Sequence, residues 1–286
     1  MNQMKNNPDK NKDRTDLHVH TIFSDGIYHP REIVDKAVTK GLSAIAVTDH
    51  DCVEGVQYAL LHARKKDLEV IPGIELSAFQ GDREVHILGY FIDINSLILT
   101  GTLDNMKENR KRRFAGMIDL LSKQGIEIPA DLAEKESEKG TVGRLNLARL
   151  LILNHSVNSI KAAFDRFLGV GKSCYVPHEK LYVSEAVEVI HSAGGCAVLA
   201  HPGTIDREQT VNEILSLGID GLEVYHPGHR PHHEQKYLAM AKRMGLISCG
   251  GSDFHGSEIA KGEPDIAART VGSETVEELR NVSEQY

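Results

Sequence analysis

The four cysteines of the 286-residue chain, Cys52, Cys174, Cys196 and Cys249, are scattered, and no CxxC pair occurs. That excludes a disulfide frame and a cysteine-ligated structural zinc site, and predicts a reducing, cytoplasmic setting. No run of about 18 apolar residues is present, so no membrane span is expected. Met1 to Arg14 is polar and mixed in charge, without an apolar core segment. It predicts a loose tail rather than a secretory signal. Basic excess is missing too: the net charge is −8. Stable binding of duplex DNA is therefore not expected. Bound divalent ions would reverse the sign locally, so an anionic substrate stays open. No internal repeat, Ser-His-Asp triad or nucleophile elbow is evident. Tryptophan is absent, whereas histidine occurs 15 times, and the positions of the histidines become the main question.

Length and an apolar content of 41 % allow one large α/β barrel or two smaller domains. Apolar strands predict the frame: Asp16 to His20, Ala44 to Thr48, Glu69 to Ile71, Val85 to Ile92, Ala197 to Ala200, Gly221 to Tyr225, and Leu246 to Gly250. Between them, helical patterns cover Pro30 to Lys40, Val53 to Lys66, Val183 to Ala193, Val211 to Leu217, Pro231 to Met244 and Glu274 to Asn281. Strands alternating with helices of this length predict a barrel of parallel strands. The rhythm breaks between Asn95 and Pro177, where helices are predicted over Leu103 to Lys123, Thr141 to Asn154 and Asn158 to Leu168. The charged stretch from Glu134 to Lys139 reads as a solvated turn. The expected organisation is a tail over 1–14, a barrel domain over 15–94 and 178–286, and a helical insertion or cap over 95–177.

Metal-type residues collect where the predicted strands end. His18 and His20 point the same way on the first strand, because alternate side chains share a face. His50 lies between Asp49 and Asp51, and Glu75 follows Pro72-Gly73-Ile74. His201, Asp253 and His255 follow later strands, Asp25 sits in the first loop, and His86 opens the fourth strand. In parallel barrels the functional groups gather at the strand C-termini. Imidazole and carboxylate suit zinc, manganese or iron. Nine such residues are too many for one ion and fit two or three. Any one of them alone reads as an ordinary loop or capping group; their joint placement carries the inference. Cys52 reads as a small half-buried residue rather than a ligand.

His18-Val19-His20-Thr21 with Ser24-Asp25-Gly26, Thr48-Asp49-His50-Asp51, Pro72-Gly73-Ile74-Glu75, His86, Ala200-His201-Pro202 and Gly251-Ser252-Asp253-Phe254-His255 form an ordered set. The set resembles the motifs of the PHP (polymerase and histidinol phosphatase) superfamily. Within it, the chain is most similar to stand-alone phosphoesterases that act on nucleotides. The resemblance implies a distorted seven-stranded (β/α) barrel and a trinuclear site. By motif, His18, His20, Glu75 and Asp253 would hold one ion. Glu75 would bridge to a second, shared with His86 and His201, and Asp25, His50 and His255 would hold a third. Gly143-Arg144 matches another family signature, although Leu145-Asn146 stands where Pro-His is usual. Lys172 lies in a stretch where the family uses lysine to reach phosphate.

Arg144 also stands out physically. It falls in the first turn of a helix expected to be capped by Thr141, where the dipole disfavours a cation and a docked anion would remove the conflict. Arg110 and Arg113 interrupt a stripe with Met106 and Met117. They either clamp a phosphate or snorkel to solvent and pair with acids such as Glu108. His226 and His229 are candidates to protonate a leaving oxygen, and His229 to line the substrate pocket.

The reading that follows is a metal-dependent phosphoesterase using a metal-bound hydroxide. Its substrate would be a small phosphorylated nucleotide or short oligonucleotide: a 3′,5′-bisphosphonucleotide, short RNA trimmed 5′ to 3′, or both. The alternatives are a histidinol phosphatase, a metal-dependent amidohydrolase, which commonly bridges its metals with lysine where Glu75 stands here, and a non-catalytic metal-binding module.

Overall fold

The structure is a computed structural model that describes residues 13–137, 142–177, 179–256 and 264–286. Seven strands form one sheet in chain order: β1 (Thr15–Val19), β2 (Ala44–Val47), β3 (Glu69–Gln80), β4 (Arg83–Tyr90), β5 (Cys196–Leu199), β6 (Gly221–Tyr225) and β7 (Ile247–Gly250). The sheet closes nearly into a barrel. Backbone bonds join Thr15 to Val271 at one end of β1, and His20 to Phe254 at the other. A side chain at Gly251 would collide with the backbone of His18, so the residue after β7 has to be glycine for this seam to close.

Two of the sequence expectations need correction here. The sheet is not all parallel: β4 pairs antiparallel with both β3 and β5. The third strand does not stop at Ile71, but runs through Pro72 to Gln80. Pro72 is tolerated because the strand changes partner there. It pairs in parallel with β2 as far as Pro72 and antiparallel with β4 from Gly73 onward. These two features place the start of β4 beside the ends of its neighbours.

The strand Ala44-Ile45-Ala46-Val47 shows how the sequence builds the layers. Ala44 and Ala46 face an inner cluster with Leu17, Ile71, Leu88, Tyr90, Val198 and Cys249. Ile45 and Val47 face an outer cluster with residues of α1 (Pro30–Thr39) and α2 (Glu54–Ala63). Tyr90 lies fully inside and donates its hydroxyl to the Leu17 carbonyl at 2.9 Å, as a buried phenol requires.

The chain divides into two compact units, Met1–Thr100 with Leu181–Tyr286, and Gly101–Lys180. The second is helical: most of α3 (Leu97–Ser122), then α4 (Ala130–Ser137), α5 (Arg144–Leu153) and α6 (Ile160–Ala163), which continues as a π-helical turn, Phe164–Leu168. Phe114, Met117, Leu121, Leu147, Leu151 and Phe167 form its core. The expected turn at Glu134 is helix α4 instead, because Leu132 and Ala133 pack against that core and anchor a charge-rich segment. Glu138 and Lys139, at the end of that stretch, lie outside the described residues, as does Thr141, the expected cap of α5.

The first unit is completed by α7 (Val183–Ser192), α8 (Glu208–Leu215), α9 (Pro231–Met244) and α10 (Ser273–Ser283). Asp220, just before β6, ties several elements together. Its carboxylate accepts from the Ala197 amide at 2.8 Å, from His191 Nε2 at 2.8 Å and from the Tyr286 hydroxyl at 3.0 Å. Burial pushes this carboxyl up, but the bonds from His191 and Ala197 outweigh it and leave the group below its ordinary value. A depressed carboxyl stabilises the fold above its unfolded pKa of about 4, and that contribution fades as the pH falls through the lower, folded value. Asp220→Asn is expected to cost about 1–2 kcal/mol at pH 7. Thermal melts of the two proteins should draw together as the pH falls below the unfolded carboxyl pKa and on through the lower, folded value. A gap of constant size across that range would refute the electrostatic account.

Candidate metal centre

Nine side chains meet at one end of the barrel. His18 is the last residue but one of β1, and its Nε2 lies 3.2 Å from Glu75 Oε2 and 3.3 Å from Asp253 Oδ1. His20 Nε2 approaches the same two oxygens at 3.2 and 3.1 Å. The other carboxylate oxygen of Glu75, Oε1, lies 2.9 Å from His86 Nδ1 and 3.0 Å from His201 Nε2, and those two nitrogens are 3.3 Å apart. His50 Nδ1 reaches Glu75 Oε2 at 3.2 Å. A third group forms around Asp25, with His255 Nε2 at 3.2 Å, His20 Nδ1 at 3.7 Å and His50 Nε2 at 3.8 Å. Glu75 thus faces one group with each oxygen. His86 reaches this rim because β4 runs backwards, so a residue in its first half, the fourth of the strand rather than the first, stands level with the ends of the others.

Three observations test whether these residues fit cations. His20 Nδ1, His20 Nε2 and His50 Nδ1 are buried and make no hydrogen bond. They nevertheless lie 3.1–3.7 Å from carboxylate oxygens of Glu75, Asp253 and Asp25, as atoms sharing a centre would. Second, the donor separations of 2.9–3.3 Å match ligand spacing. Ligands about 2.1 Å from a tetrahedral ion stand roughly 3.4 Å apart. Third, the cage favours positive charge. Burial alone would lower His20, yet Asp253 and Glu75 lift it to about 10. Burial would raise Glu75, but His50, His18 and His86 hold it well below the carboxylate range. His50, where burial dominates, falls to about 4 and is a neutral imidazole at neutral pH.

The surrounding loops are held by acids that the sequence places in the motifs without a role. Asp49 accepts from the Thr21 amide at 2.7 Å, the Thr21 hydroxyl at 2.7 Å and the Ser24 hydroxyl at 2.6 Å, which fixes the loop carrying Asp25. Asp51 takes the Ser77 amide and hydroxyl at 2.7 and 2.8 Å. Asp16 takes the Ser252 amide at 2.8 Å and the Ala267 amide at 2.8 Å, steadying the approach to Asp253. The backbone is strained where it turns: φ is positive at Asp51, His201 and Asp253, none of them glycine. Cys52 stays out of the cluster, donates its thiol to Glu54 at 2.9 Å and is pushed up by burial.

The residue that sequence reasoning missed is Glu223, on β6. It is fully buried, accepts from His18 Nδ1 at 2.9 Å and from the His201 amide at 2.6 Å. Gly221-Leu-Glu-Val-Tyr225 looks like an ordinary alternating strand. The available signal was a lone carboxylate inside a strand covered on both faces, where a charge has to be paired.

The structure also places the remaining candidates. His226 accepts the Gly228 amide on Nδ1 at 3.0 Å, so its proton sits on Nε2, 3.3 Å from Asp253 Oδ2. His229 is buried with both nitrogens engaged by backbone. In the second unit, Arg113 donates Nε to the Val176 carbonyl at 2.7 Å and Arg144 donates to the Leu168 carbonyl at 3.4 Å. Both guanidinium groups lie over the Tyr175 ring, at 5.8 and 5.6 Å. Arg144 is the first residue of α5, and Asn146 accepts the Gly143 amide at 3.0 Å there. Arg110 is half-buried and Lys172 exposed.

The description of the PHP domain family matches residues 16–168. This chain belongs to that family. Among PHP relatives, a 5′-3′ exoribonuclease from Haemophilus influenzae is 34 % identical over 245 residues, covering 84 % of this chain and 89 % of the relative. A 3′,5′-nucleoside bisphosphate phosphatase from Chromobacterium violaceum is 35 % identical over 246 residues, covering 84 % and 86 %. A solved structure from Bifidobacterium adolescentis, described as a metal-dependent phosphoesterase, superposes with a TM-score of 0.76 at 30 % identity over 93 % of this chain and 94 % of that one. The PHP barrel expected from the motifs, with its seven strands in chain order, is the fold observed.

Proposed function

We propose that this chain is a metal-dependent phosphoesterase that hydrolyses nucleotide phosphate esters, with two or three ions of manganese, zinc or iron. The observation that carries the reading is the position of Glu75, buried between two imidazole groups and facing each with one oxygen. Such an arrangement is built to hold cations side by side. Two curated relatives, at 34 % and 35 % identity, bear the names of a 5′-3′ exoribonuclease and a nucleoside bisphosphate phosphatase, which supports the substrate class.

Bound divalent ions supply hydroxide near neutral pH and offset charge on phosphoryl oxygens. The chain supplies the rest. His18, His20, Glu75 and Asp253 would hold one ion, Glu75, His86 and His201 a second, and Asp25, His50 and His255 a third. Asp49 and Asp16 hold the Asp25 loop and the Asp253 turn in place. His226 carries a proton on Nε2 at Asp253 and is the group positioned to give it to a leaving oxygen. Arg113 and Arg144, gathered on Tyr175, are the proposed anion-holding pair of the second unit, with Arg110 and Lys172 as further cations. The amidohydrolase reading is disfavoured because a glutamate, not a lysine, occupies the bridging place.

The deciding experiment offers the purified, metal-loaded protein three substrates: a 3′,5′-bisphosphonucleotide, a short 5′-phosphorylated RNA, and histidinol phosphate. Turnover of one or both nucleotide substrates is expected. Phosphate release from histidinol phosphate alone would reject the assignment.

A further inference from the structure

β6 brings no side chain to the group of nine, yet two residues from it and the loop after it touch what the nine depend on. Glu223 Oε1 accepts from His18 Nδ1 at 2.9 Å, and Oε2 accepts from the His201 amide at 2.6 Å. The first bond settles a tautomer. With its proton on Nδ1, His18 presents a bare Nε2 lone pair to the space shared with Glu75 and Asp253. The second bond holds the backbone of a residue with φ of 24°, a conformation an L-residue keeps only under external constraint.

His229 grips the same turn from the other side. Its Nδ1 donates to the Val224 carbonyl at 2.8 Å, which leaves Nε2 as an acceptor for the Gly203 amide at 3.0 Å. The ring lies so close that a side chain at position 203 would come within 2.6 Å of it. Gly203 belongs to the short 3-10 turn Pro202–Thr204 that follows His201 directly. Both nitrogens of His229 are thus committed to backbone atoms, and neither is free to pass a proton to substrate.

We propose that β6 is the supporting strand of the metal centre: Glu223 sets the tautomer of His18 and, together with His229, holds the His201 turn, so that both are positioning residues rather than ligands or proton donors. This rests on the metal reading above. A glutamine at 223 exposes the dependence, because it keeps the shape but has one acceptor where two are needed. If its oxygen takes the His201 amide, its NH2 group faces His18 Nδ1 and drives the proton to Nε2, where the cation should bind. If its oxygen takes His18 instead, two donors confront each other at His201.

The test uses the full chain, stripped of metal and titrated with zinc alone. Wild type is expected to bind zinc and to show His18 as the Nδ1–H tautomer in nitrogen-15 spectra of the imidazoles. Glu223→Gln should bind zinc about 10–100-fold more weakly in either orientation of the amide, and show His18 with its proton on Nε2 where the amide oxygen takes the His201 amide. Unchanged zinc affinity and an unchanged tautomer in Glu223→Gln, with wild type binding normally, would overturn the inference alone. Wild type that binds no zinc would overturn the metal reading and the inference with it. A second pair keeps the proposal open to refutation if the glutamine variant does not fold. His229→Gln, whose oxygen can still accept from Gly203, should retain zinc affinity and turnover, and His229→Leu should lose both together. Loss of turnover in both His229 variants with zinc affinity intact would make His229 a proton donor and refute its role as a clamp.

Discussion

Replacing Glu75 by glutamine is expected to lower turnover by on the order of 10³-fold or more, because several kcal/mol of transition-state stabilisation is at stake. The side chain is fully buried and touches five imidazoles: His18, His20 and His50 through Oε2, His86 and His201 through Oε1. Among the described residues, no other carboxylate faces both groups through separate oxygens. An amide in its place removes the negative charge from between them and turns one end into a donor, which repels a cation. Glutamine preserves volume, so β3 and its pairing with β4 should survive. The measurements are turnover on a bisphosphonucleotide, bound metal per chain, and far-ultraviolet circular dichroism. Full activity with wild-type metal content in Glu75→Gln would remove the basis for the proposed centre. Loss of the fold together with activity would call for Glu75→Asp, which keeps the charge, shortens the reach, and should recover part of the bound metal.

The same residue shows what a sequence can and cannot disclose. Glu75 stood out because it follows Pro72-Gly73 at an apparent strand end, but it lies in the middle of a 12-residue strand. Its accessibility to the cluster comes from β3 extending past β2, which ends at Val47. Strand direction was equally hidden. Alternation with period two is identical for parallel and antiparallel strands, so Val85 to Ile92 gave no sign that it runs backwards. His86 falls in the first half of its strand, unlike the other candidates, and the reversal of β4 is what brings it to them. Histidines and acids at strand ends were legible because buried apolar runs mark the ends sharply, as Ala44 to Val47 does for His50. Flanking acids were not separable by role. Asp49 and Asp51 bracket His50 in sequence and are of the same ligand type as Asp25 and Asp253, yet both are spent on holding neighbouring segments. The sequence offers His229, alongside His226, as a candidate proton donor because the type suits that task; of its two backbone bonds one is local, to Val224, but the other comes from Gly203 in the turn after His201, which no local pattern encodes.

Removing metal is expected to inactivate the protein and to lower its melting temperature on the order of 10 °C relative to the metal-saturated form. A ligand bound only to the folded state stabilises it by about 4 kcal/mol at 1,000 times its dissociation constant, and a domain of some 200 residues gains roughly 2–4 °C per kcal/mol. The physical reason lies in the packing of charge. Glu75 and Glu223 are fully buried and Asp253 is partly buried, and each lies against one or more imidazoles. Without cations this centre keeps carboxylates in a poor solvent for charge, compensated only by protons taken up on histidine, as the lifted His20 shows. Divalent ions neutralise two charges at once and satisfy the three imidazole nitrogens that have no hydrogen bond. Melting should therefore rise with the logarithm of added manganese or zinc, fall in chelator, and return on adding excess metal. In Glu75→Gln the metal-dependent part of that rise should largely vanish while the metal-free melting point moves little. A melting curve and a turnover number both indifferent to chelator would mean that the nine residues are held together by protons alone, and the phosphoesterase reading would fall with them.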